Sequence, residues 1–104
     1  MAQAKLVQVN GSEQQYAVEG ELTMQTVPEV ARDSAAMIKN MHGEVTINLA
    51  QVSRADSAAL VLLVDWIRSA EQNSVSLQFE ALPKQLIQIA KVSELHQILP
   101  INPA

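Results

Sequence analysis

Hydrophobic and polar positions along this chain change period several times, and each change marks an expected element. Val45, Ile47 and Leu49 alternate with Thr46 and Asn48. A period of two rich in β-branched residues predicts a strand over 44–49. A short polar turn is expected next, and from Asp56-Ser57 the period lengthens to that of a helix over 57–72. Asp and Ser suit that start because their side-chain oxygens accept hydrogen bonds from the unpaired N–H groups of a first turn. Within the helix, Asp65, Arg68, Ser69 and Gln72 form a polar stripe that should face water. Leu60 and Leu63 lie on other sides as core candidates, and Trp66 reads as core as well.

The flanking segments extend the pattern. Leu6–Val9 and Tyr16–Val18 are short candidate strands, and Asn10-Gly11 between them signals an antiparallel hairpin. Gly20-Glu21-Leu22 is expected to lead out of the sheet. Thr26-Val27-Pro28-Glu29 matches a capping box, in which Thr26 serves one free N–H while Glu29 reaches back. The helix after it presents Val30, Ala31, Ala35, Met37, Ile38 and Met41 as its apolar side and ends at Gly43. Asn73-Ser74 breaks the 57–72 helix, and Val75, Leu77 and Phe79 alternate as a further strand. Pro83 begins a last helix without a convincing N-cap, its Leu86, Ile89, Ala90 and Val92 facing inward. Leu95, Ile98 and Leu99 are expected to fold back before a Pro100–Ala104 tail.

The order is therefore β-β-α-β-α-β-α in one domain over 1–104. That is an α/β fold, a mixed sheet of about four strands with helices packed on it. The β-α-β links require parallel strands and right-handed crossovers.

Composition narrows the function classes. The 104 residues allow a single core, and with one Trp, one Tyr and one Phe that core is aliphatic apart from the methionines, which read as filler. A net charge of −4 argues against a nucleic-acid surface, which needs clustered Lys and Arg. Without cysteine there is neither a disulfide frame nor a Cys-based zinc site, which fits a cytoplasmic location. The N-terminus lacks the apolar stretch of a secretory signal. The longest apolar run, Ala58–Val64, is far short of the roughly 20 residues that span a bilayer, so no direct membrane insertion is expected.

Catalysis finds little to stand on. No Gly-rich phosphate loop, His-Glu-x-x-His or Gly-x-Ser-x-Gly motif occurs, and His42 and His96 lack a second ligand nearby in sequence. Neither an enzyme nor a cofactor is expected, and no motif supports small-ligand binding. Asp56-Ser57 has two readings, a helix cap alone or a recognition or phosphorylation site. A phosphate on Ser57 would gain from the positive helix end but be repelled by Asp56. The polar stripe of Asp65 and Arg68, carried back toward the helix start, passes through Val61 and Ala58. Apolar residues on an outward-facing stripe suggest a contact site.

The stretch Val-Thr-Ile-Asn-Leu-Ala-Gln-Val-Ser-Arg-Ala-Asp-Ser-Ala-Ala-Leu, 45–60, resembles the signature of STAS domains. That fold is shared by bacterial anti-sigma-factor antagonists and sulfate-transporter tails. Val52–Ser57 with Leu60–Leu63, then Leu86–Lys91 and Leu95–Pro100, further resemble the MlaB-like STAS subunits of phospholipid-transporting ABC complexes. The resemblance implies a STAS-like fold and a non-enzymatic cytoplasmic subunit, peripheral to the inner membrane. It implies binding and support or regulation of an MlaF-like ABC transporter ATPase, within a complex with permease and substrate-binding subunits. Such a complex moves phospholipids between inner and outer membranes and maintains outer-membrane lipid asymmetry. The alternative implied is an anti-sigma-factor antagonist switched by phosphorylation of Ser57. By position, Ser57 matches the phosphorylated hydroxyl residue of the antagonists and Asp56 its acidic neighbour. The expected partner interface is Arg54, Ala58, Ala59, Val61 and Asp65 around that pair. Where the family usually has Gly after the hydroxyl, this chain has Ala58 and Ala59, which weakens the case for a switch and leaves docking intact.

Overall fold

The computed structural model describes residues 3–93 and 100–102. Its elements are β1 (Ala4–Gln8), β2 (Gln15–Leu22), α1 (Val27–Lys39), β3 (Glu44–Ala55), α2 (Ser57–Gln72), β4 (Ser76–Glu80), α3 (Lys84–Val92) and β5 (Ile101–Asn102). The expected β-β-α-β-α-β-α order is present, and the strands lie in the sheet in chain order. β1 and β2 are antiparallel, while β2, β3, β4 and β5 run parallel to their neighbours. β5 corrects the expected tail: Phe79 N–H donates to Pro100 O at 2.8 Å, and Ile101 then pairs with Phe79. Leu95, Ile98 and Leu99, expected to fold back, lie outside the described residues.

The hairpin forms where Asn-Gly places it. Asn10 and Gly11 both have positive φ, 53° and 69°, and Ser12 N–H closes the turn on Val9 O at 2.9 Å. That left-handed pair is the turn whose twist matches two antiparallel strands. β2 then runs on to Leu22 rather than leaving the sheet at Gly20. Gly20 (φ 105°) permits this, because a Cβ there would collide with the Gln3 carbonyl oxygen, which accepts from Glu21 N–H at 3.0 Å.

β3 is twice as long as the alternation predicts. It pairs with β2 as far as Ala55, but the register slips between Ala17 and Glu19 and again between Gly20 and Glu21. Each slip is a bulge with an extra residue on β3. At the first, Asn48 Oδ1 accepts from Ala50 N–H at 2.7 Å, and its Nδ2 donates to Glu80 at 3.0 Å. The buried positions then fall at Leu49, Val52 and Ala55, and the intervening Gln51, Ser53 and Arg54 are exposed strand residues rather than a turn.

Burial alternates along the strands, so one face of the sheet is covered, with α1 packed on α2 and α2 on α3. Val18, Ile47, Leu49, Leu63, Phe79 and Leu86 are fully buried at its centre. Leu60, Leu63 and Trp66 are core, as the pattern predicts. Several other expectations are corrected. Thr26 makes no capping box: its hydroxyl donates to Glu21 O at 2.6 Å and accepts from Thr23 N–H, which closes the β2–α1 loop, while Glu29 is exposed. On α1, Ala35 is exposed and Ser34 takes the inward position, because it accepts a buried hydrogen bond from Trp66 Nε1–H at 2.8 Å. Val92 is exposed because α3 turns Leu86 and Ala90 inward instead, and Met24 lies on a loop outside the core.

Candidate functional site

The carboxyl ends of β2 and β3 lie side by side, Leu22 opposite Ala55, so their following loops emerge together. Asp56 N–H donates to Leu22 O at 3.1 Å, which ties the start of α2 to the end of β2. The Asp56 carboxylate divides its oxygens. Oδ1 accepts from Ala58 N–H at 2.8 Å and caps α2, as expected of this residue. Oδ2 accepts from Met24 N–H at 3.1 Å and holds the β2–α1 loop. The long-range half of this arrangement is invisible in a local sequence pattern.

Ser57 is exposed at the first helical position. It lies where two open hollows meet. One, about 580 Å³, runs toward α3 between Asp56, Gln85, Gln88, Ile89 and Val92. The other, about 390 Å³, follows α2 past Leu60, Val61, Val64, Asp65 and Arg68. Ser93 borders both. Val61 is 67% exposed on this face, and Asp65 and Arg68 continue it outward. Neither charge has an ion-pair partner among the described residues, where the pairs formed are Lys5–Glu19 and Arg32–Asp33.

The expected interface is only partly assembled. Asp56, Ser57, Val61 and Asp65 share the surface at the start of α2, and Arg54 is exposed near the end of β3. Ala59 is removed from it: the residue is fully buried, because the helix turns it onto the core. Ala58 is half-buried and also packs on the core, so it contributes an edge at most. The pattern missed Met24, 73% exposed, and Val92, 87% exposed. Met24 was legible as an apolar residue stranded among Thr23, Gln25 and Thr26. His42 is exposed, and no cluster of three potential metal ligands occurs among the described residues. No described helix is long and apolar enough to cross a membrane.

Comparison with known proteins places this arrangement in a family. Over 85 residues, 82% of this chain and 79% of the relative, it is 29% identical to the anti-sigma-B factor antagonist of Staphylococcus epidermidis. Identity to the Staphylococcus aureus antagonist is 27% over the same length. A putative anti-sigma factor antagonist from Thermotoga maritima has the same fold, with a TM-score of 0.73 over 95% of this chain and 85% of that one, at 14% identity. The family model described as "Mlab, STAS domain" matches residues 6–100, the span that carries β2 to β4, the Asp56 cap and the Ser57 face. The chain belongs to the STAS domain family.

Proposed function

We propose that this chain is a non-enzymatic docking module that presents the N-terminal face of α2 to a protein partner. The observation that carries the reading is Val61, an apolar side chain 67% exposed one turn beyond Ser57 and next to Asp65 and Arg68, which form no ion pair among the described residues. A single exposed valine is ordinary, but here it borders the hollow that runs back to the exposed Ser57, while the exposed Met24 and Val92 sit on segments that meet at Asp56.

Two partners fit this face. An anti-sigma factor is supported by the curated relatives and by the solved structure of like fold, and of the two it has the wider backing. In that reading Ser57, exposed and beside the cap, is the residue whose phosphorylation switches the contact. The ATPase of an Mla-type phospholipid transporter is supported by the family description and by the Val52–Leu63 pattern. There the chain sits in the cytoplasm, peripheral to the inner membrane through the complex. Fold does not separate the two. Affinity purification of the tagged full chain from its own cells does. An anti-sigma kinase, with phosphate on Ser57 of the chain that fails to bind it, establishes the antagonist. An ABC ATPase with its permease establishes the transporter subunit. Recovery of neither overturns the docking role.

A further inference from the structure

We propose that Asp56 is a positioning residue for partner docking, and that the loop it holds supplies Met24 as a second apolar anchor at the start of α2, the helix that carries Val61. The proposal rests on the docking reading of the α2 face. Three observations carry it. Asp56 spends one carboxylate oxygen on the helix cap and the other on Met24 N–H, across 32 residues of sequence. The rest of that loop is closed by its own bonds, through Thr26 Oγ1 to Thr23 N–H and Glu21 O and through Thr23 Oγ1 to Gln25 N–H. Met24 is nonetheless 73% exposed, a long flexible thioether where the loop is otherwise polar. Methionine adapts its shape to an apolar recess, which suits it to a contact surface.

The partner this fits is a folded protein that offers an apolar recess to each of Met24 and Val61. Its rim carries a cation opposite Asp65 and an anion opposite Arg68, since both charges stand without an ion-pair partner among the described residues. Such a rim fixes orientation as well as attraction.

Asp56→Ser separates the two tasks of the carboxylate. Serine is as good an N-cap as aspartate, but its single oxygen cannot serve both Ala58 N–H and Met24 N–H. In the free chain, hydrogen exchange at the Met24 amide should quicken by about tenfold or more while the amides of α2 keep their protection. Binding to the protein that co-purifies with the full chain should weaken by about fivefold or more in Asp56→Ser and in Met24→Ala, as for interface residues that matter. Adding Asp56→Ser to Met24→Ala should then cost little further affinity. Wild-type binding by Met24→Ala while Val61→Glu loses the partner overturns the loop anchor and leaves the docking face standing. If Val61→Glu also binds normally, the docking reading itself fails. An unchanged Met24 amide in Asp56→Ser overturns the positioning role. Loss of binding by Met24→Ala to anionic phospholipid vesicles, but not to the protein, makes the loop a lipid contact and also overturns the proposal.

Discussion

The bond between Trp66 and Ser34 makes a sharp test of how α1 and α2 are held together. Trp66 is 2% exposed and Ser34 1%, and the indole Nε1–H donates to Ser34 Oγ at 2.8 Å. The serine hydroxyl in turn donates to Ala31 O at 3.3 Å. Ser34→Ala therefore leaves a buried N–H with no acceptor, which should cost about 1–3 kcal/mol. Part of that is offset by the better helix propensity of alanine, worth about 0.5 kcal/mol. The net loss should be about 0.5–2.5 kcal/mol. In a Trp66→Phe background the donor is gone, so the same Ser34→Ala change should be close to neutral, a coupling of about 0.5–2.5 kcal/mol between the two sites. Urea unfolding of the four proteins, followed by far-UV circular dichroism, reads the cycle; Trp66 is the only tryptophan, so its fluorescence cannot follow all four. Equal costs of Ser34→Ala in both backgrounds would refute the argument that this bond joins the helices energetically.

Two further outcomes test the fold around the site. Leu63→Ala removes a fully buried side chain from the inner face of α2 and should cost about 2–5 kcal/mol in the same assay, against almost nothing for Val61→Ala. Gly20→Ala should destabilise by about 2 kcal/mol or more, since it combines a strained φ with a collision at the Gln3 carbonyl, and faster hydrogen exchange at the Glu21 amide should accompany it.

What was legible in the sequence was what short-range patterns encode. The Asn10-Gly11 turn, the Asp56 cap, the inward Leu60 and Leu63 and the outward Asp65 and Arg68 depend on neighbours within about one or two turns. The second half of β3 was hidden because its bulges replace alternation with buried residues three apart, so Gln51, Ser53 and Arg54 read as a turn. Thr26-x-x-Glu29 fits the capping-box pattern, yet the Thr26 hydroxyl finds the Glu21 carbonyl, a partner set by where β2 ends. The apolar pattern of α1 passed over Ser34, whose reason to be buried is the indole 32 residues away. In the site itself, helical spacing put Val61 outward and Ala59 one turn before the inward Leu63, against the interface place that the resemblance implied for Ala59. Spacing could not bring Met24 and Val92 to the same end of the molecule, because that depends on the parallel pairing of β2 with β3 and on the packing of α3.

The central claim, that the α2 face works by docking, is tested most directly by partner capture with the full-length chain carrying Val61→Glu, alongside a thermal melt. Val61 is mostly exposed, so the substitution should leave folding stability within about 0.5 kcal/mol of the parent. In a complex the new carboxylate would be desolvated without a counter-charge, so capture of the anti-sigma factor or the ATPase should be lost. Undiminished capture by a folded Val61→Glu chain would contradict the claim, and so would a melt as depressed as that of Leu63→Ala, which would make this face core.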